Sequence, residues 1–118
     1  MNDESTTVAE LKSGIRRFAA MRGWEPFHAP KNLVMALASE VGELCHLFRW
    51  LTADESEAFA ADPENRIKTA DELADIANIV FLLSGHLGID LSEAIAAKMT
   101  KNERKYPAPI STAEAGVG

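Results

Sequence analysis

Two pairs of carboxylates, Glu40-x-x-Glu43 and Glu72-x-x-Asp75, stand inside long stretches that contain no proline. Residues three apart share one side of an α-helix, so each pair would present its two carboxylates together. At about 100° per residue, Glu40 falls on a face with Leu33, Ala36, Leu37, Leu44, Leu47 and Leu51. Ser39, Gly42, His46 and Arg49 form a separate polar stripe, and Glu43 lies at its edge. Asp75 is followed on its own side by Asn78, Ile79 and Leu82, and no residue between Asp75 and His86 carries a formal charge. An ionised carboxylate facing apolar neighbours costs several kcal/mol unless a positive group compensates it. Four oxygen donors without Cys or His suit a hard cation, Mg²⁺ with Mn²⁺ as the alternative, and Mg²⁺ characteristically shares its coordination with substrate phosphates. Either pair alone is ordinary on a solvated helix. Two pairs, each turned toward an apolar face, are what single these residues out as a metal set and as the catalytic candidates.

The elements that must hold these pairs are helical. Thr7 and Glu10 have capping-box spacing and Gly23 supplies a stop, which predicts a helix from about 7 to 22. Trp24 to Pro30 contains two prolines and reads as an ordered loop. Lys31 to Leu51 predicts a second long helix, followed by a short helical turn from Thr52 to about Ala61. Asp62-Pro63 is a cap and first-position pair for a third long helix ending near His86 and Gly88. Asp90 with Glu93 starts another, which must stop before Pro107. No strand pattern is present. The expectation is an all-α, four-helix bundle-like domain over residues 1–107 with a flexible tail over 108–118.

Composition limits the function classes. A chain of 118 residues supports one small core, so burial against further copies is a natural source of stability and a homodimer or homotetramer is expected. A net charge of −6 argues against a broad basic surface for polymeric nucleic acid. Cys45 is the single cysteine and reads as a core side chain. With no apolar run near 20 residues and no secretory leader pattern, the expected setting is the cytoplasm without membrane attachment.

The two acidic pairs resemble the metal-binding signature of the all-α nucleoside triphosphate pyrophosphohydrolases, the MazG-like superfamily. The likeness continues through Trp24-x-x-Phe27-His28-x-Pro30-x-Asn32-Leu33, Phe48-x-Trp50 and Lys98-Met99-x-x-Asn102-x-x-Lys105-Tyr106-Pro107, which look like the dCTP pyrophosphatase branch. The resemblance implies Mg²⁺-dependent hydrolysis of a (deoxy)nucleoside triphosphate, dCTP or a modified cytosine nucleotide, to monophosphate and pyrophosphate. It implies metal binding by Glu40, Glu43, Glu72 and Asp75, with one of them or Asp71 as general base. For substrate it points to Trp24, His28 and Trp50 at the base, Lys31 at phosphate, and Asn78 near the sugar or base. Lys98, Asn102 and Tyr106, at i, i+4 and i+8, would form one face closing over phosphate or sugar. Ile79 departs from the pattern, since several relatives carry tyrosine there.

Two rival readings belong to other classes. A di-iron carboxylate bundle is suggested by Glu43-x-x-His46, but it needs a second Glu-x-x-His element, and Glu72-x-x-Asp75 offers no histidine. A non-enzymatic helical interaction module would leave the acids as surface groups.

Overall fold

The computed structural model describes residues 1–109, so residues 110–118 of the expected tail lie outside the described part. All regular elements among the described residues are helical. They are α1 (Val8–Met21), a 3₁₀ turn (Glu25–Phe27), α2 (Pro30–Phe48), α3 (Ala53–Ala61), α4 (Pro63–His86) and α5 (Leu91–Lys105). The chain divides into two compact units, Met1–Gly88 and Ile89–Gly118.

Local chemistry accounts for the boundaries. Thr7 caps α1, accepting from the Glu10 amide at 3.1 Å. Gly23 ends that helix at φ +67°, a left-handed conformation that a side chain disfavours. The backbone then folds back through a hydrogen bond of 3.0 Å from the Trp24 amide to the Ala19 carbonyl. Pro30 opens α2, where its missing N–H costs no helical hydrogen bond. The helix stops at Phe48 rather than Leu51, leaving Arg49 and Trp50 in a turn. The segment expected to be a short helical turn from Thr52 to about Ala61 is the nine-residue helix α3. Thr52 and Glu55 form a complete capping box there, with bonds of 2.9 and 3.1 Å. Asp62 and Asp90 cap α4 and α5 through the amides of Asn65 and Glu93.

In the first unit, α4 is the central element and packs against α1, α2 and α3. Leu33 is buried, and Ala36, Leu37, Leu44, Leu47 and Leu51 are half-buried, while Ser39, Gly42, His46 and Arg49 are exposed. The apolar face of α2 is therefore the one its sequence pattern indicates. Cys45 is exposed and not a core residue. It sits on the outer side of α2 with Val34, Ala38 and Val41, a second weakly apolar surface that the core does not use. The core is shallow: Ala19, Leu33 and Ser84 are the buried residues among those described. Val34, Met35, Val41, Ile67 and Leu73 remain exposed. Among the described residues no single helix is long and apolar enough to cross a membrane.

Candidate functional site

α2 and α4 carry their acidic residues toward each other. Glu40, Glu72 and Asp75 each bring a carboxylate oxygen within 4.8 Å of the others. Glu40 and Glu72 are half-buried and Asp75 is exposed, so the group sits at the rim of the helix pair rather than deep inside it. Glu43 is exposed and outside this trio, though its charge acts on Glu72.

Glu72 is the focus of the electrostatic conflict. Its carboxyl is held above the usual glutamate value, first because partial burial penalises the charged form. The negative charge of Glu40, a hydrogen bond shared with the Glu40 side chain, and the charges of Glu43 and Asp75 push the same way. Its Oε2 is shielded from solvent and has no hydrogen-bond partner. A buried, unpartnered carboxylate oxygen beside two further carboxylates is an arrangement that a divalent cation relieves. An all-oxygen donor set suits Mg²⁺ or Mn²⁺. The residues present therefore fit a hard metal ion, which would take oxygens from Glu40, Glu72 and Asp75. His46 is exposed and no histidine joins the trio, so the donor set of a di-iron site is not assembled among the described residues.

Glu40 and Asp75 also line a cavity of about 780 Å³ between α1, the Trp24–His28 loop, α2 and α4. The substrate candidates Trp24, His28 and Asn78 line it, together with Ile79. Its walls are otherwise largely apolar, with Ile15, Phe18, Phe27, Leu33 and Leu82 prominent. Trp24 is 46 % exposed and meets Phe18 edge-on, with ring centroids 5.7 Å apart. On Phe18 lies the Arg22 guanidinium, 3.5 Å from the ring centroid, which also donates to the Phe18 carbonyl at 3.1 Å. Asn32 ties the loop to α2 by donating to the Phe27 carbonyl at 2.9 Å. Phe18, Arg22 and Asn32 were not candidates from sequence. Only the tertiary approach of α1 to the loop gives the first two a role, whereas Asn32 had a signal in its place within the Trp24 to Leu33 motif.

Other candidates stand apart from this cavity. Lys31, in the first turn of α2, is exposed and does not line it, nor does Trp50, which is 82 % exposed with Arg49 stacked 5.1 Å from its ring. Neither tryptophan is a core side chain. Lys98, Asn102 and Tyr106 belong to the second unit. Lys98 is exposed and Asn102 half-buried on α5, but Tyr106 is its cap, with φ −124° and ψ 72°. The three therefore do not continue as one helical i, i+4, i+8 series, because the helix ends at Lys105 before Pro107.

The chain is similar to known proteins over most of its length. The MazG-like family model matches residues 35–114, which takes in both acidic pairs. The chain is 38 % identical over 109 residues to dCTP pyrophosphatase 1 of Bos taurus, covering 92 % of this chain and 64 % of that protein. It is 38 % identical over 105 residues to dCTP pyrophosphatase 1 of Homo sapiens, covering 89 % and 62 %. The chain thus spans less than two thirds of the length of these curated relatives. A pyrophosphatase of Archaeoglobus fulgidus has the same fold, with a TM-score of 0.81 at 33 % identity over 92 % of this chain and 99 % of that one. A family match over most of the chain, a shared all-helical fold and carboxylates converging from α2 and α4 have one reading: this chain belongs to the MazG-like family.

Proposed function

We propose that the chain hydrolyses a (deoxy)nucleoside triphosphate to its monophosphate and pyrophosphate, with dCTP or a modified cytosine nucleotide as preferred substrate. The observation that carries this reading is the unpartnered Glu72 Oε2 within a trio of carboxylates that opens onto an aromatic-lined cavity of about 780 Å³. The names of the relatives support the choice of reaction and base. Glu40, Glu72 and Asp75, with Glu43 beside them, would hold Mg²⁺ or Mn²⁺. When bound, such an ion supplies charge neutralisation at the triphosphate and a lowered pKa for a reacting water.

The remaining work falls to the protein's own groups. Trp24 offers a flat face for stacking a base, His28 a ring nitrogen for a hydrogen bond, and Asn78 an amide that both donates and accepts. The apolar walls exclude water around the base and strengthen the polar contacts made there. One of the four carboxylates, or Asp71 next to Glu72, would take the proton from the attacking water. Lys31 and Trp50, and Lys98, Asn102 and Tyr106 in the second unit, are assigned to substrate through their motifs alone. The family match, residues 35–114, takes in residues of both units, and residues 1–107 are proposed as the pyrophosphohydrolase domain. Assembly into a homodimer or homotetramer belongs to the same proposal, supported by the apolar side chains left exposed on α2 and α4. A cytoplasmic setting, with no polymeric nucleic acid or membrane as partner, completes it.

The test is a pyrophosphate-release screen over the common nucleoside triphosphates with Mg²⁺, run beside Glu40→Gln and Glu43→Gln. Release that is strongest with cytosine nucleotides and lost in both variants is expected. Equal turnover by Glu40→Gln would remove the site assignment, and a flat ranking across bases would remove the assignment of Trp24 and His28.

A further inference from the structure

A second cavity of about 450 Å³ lies between α1 and the last turns of α4, lined by Lys12, Ser13, Arg16, Glu25, His28 and His86 over an apolar floor. Its chemistry is the reverse of the acidic trio. Lys12 and Arg16 are one helical turn apart on α1, so both face one side. Two of the chain's three histidines line the same space. Among the described residues, Glu25 is the one carboxylate lining it beside Lys12 and Arg16.

Arg16 and His86 are exposed and His28 is half-buried. Neither the Arg16 guanidinium nor the imidazoles of His28 and His86 have a hydrogen-bond or ion-pair partner among the described residues. A guanidinium offers a planar fork of N–H donors and no acceptor, which matches two oxygens of a tetrahedral oxyanion. Ser13 adds a hydroxyl from the same helix. A guanidinium, a hydroxyl and two imidazoles lining one cavity suit a ligand with several anionic oxygens.

We propose that this cavity binds a phosphate-class polyanion at Arg16 and His86, separately from the acidic trio. The phosphate group can be free or the end of a nucleotide, since 450 Å³ exceeds what one phosphate fills. None of Glu40, Glu72 and Asp75 lines this cavity, so the site stands whether or not the chain hydrolyses triphosphates. His28 lines both cavities and is their common wall.

The experiment uses metal-free protein, in which the acidic trio repels polyanions. Inorganic phosphate, pyrophosphate and adenosine monophosphate are titrated separately while backbone and imidazole NMR signals are followed. Saturable shifts at Gly85, His86 and His28 but not at His46 are expected. Arg16→Gln and His86→Gln should each weaken binding by about tenfold, as loss of a charge-assisted hydrogen bond implies. Arg16→Lys, which keeps the charge and loses the fork, should give a smaller loss and covers the case of poor folding in the other variants. Similar affinity for all three probes would identify the phosphate group as the whole ligand, and tighter monophosphate binding would identify a nucleotide. Unaltered affinity in the variants, shifts that never saturate or move His46 equally, or no shifts would overturn the proposal.

Discussion

Replacing Glu40 by Gln should change stability in opposite directions with and without a divalent ion. The carboxylate oxygens of Glu40 and Asp75 lie within 4.8 Å. At that separation one like-charge pair is worth about 0.9 kcal/mol in a water-like medium and about 3.5 kcal/mol at an effective dielectric constant of about 20. Asp75 is exposed, so the lower figure applies after solvent screening. The unfolded chain is free of this repulsion, so in chelator the variant should melt about 4 °C above the wild type. With Mg²⁺ at a hundredfold over its Kd, the wild type gains about 2.7 kcal/mol, which is roughly 10 °C. If losing one oxygen ligand weakens binding about a hundredfold, the variant gains only about 0.4 kcal/mol and finishes below the wild type. The assay is thermal unfolding by circular dichroism at fixed pH and ionic strength, in chelator and across a Mg²⁺ titration. A variant that melts lower in chelator, or that gains as much from Mg²⁺ as the wild type, would refute the view that crowded carboxylates are relieved by a cation.

Three further outcomes follow from other parts of the structure. Because the Glu72 carboxyl is raised above its ordinary value of 4.5, the folded state binds its proton more tightly than the unfolded chain does. That contribution to stability is full below the ordinary value and lost as pH rises toward the raised one. The metal-free melting temperature should therefore fall over that interval, Glu72→Gln should flatten the slope, and a rise would contradict the assignment. Gly23→Ala should destabilise by about 1–2 kcal/mol in chemical denaturation, since φ is +67° and no atom lies within 4 Å of the added methyl to offset the strain. Arg22→Ala should cost about 0.5–1 kcal/mol through the lost stack on Phe18, and in a Trp50→Phe background Trp24 fluorescence should shift to the red. An unchanged spectrum would show that Trp24 does not depend on the Arg22–Phe18 stack.

The helices and their ends were legible in the sequence because their determinants are local. Thr7, Gly23, Asp62-Pro63 and Asp90 act within one turn of chain, and the apolar period of α2 already implied which face turns inward. Thr52 and Glu55 carry an equally local signal for α3, read from sequence as a short helical turn and formed as nine helical residues. The acidic residues were legible for the same reason: a charge on an apolar helical face is visible from periodicity alone.

Tertiary structure decided which of these groups actually meet. Glu40, Glu72 and Asp75 come within 4.8 Å while Glu43 stays outside, because a rotation of about 60° around α2 cannot be ranked until α4 is in place. The exposure of Cys45 depends on which side of α2 the core occupies, and the stacking of Arg22, Phe18 and Trp24 on where α1 turns into the loop. Residues along the chain set the period of each helix, but the distances between carboxylates, rings and guanidinium groups on different helices are set only by packing. Coulombic and coordination energies depend on those distances.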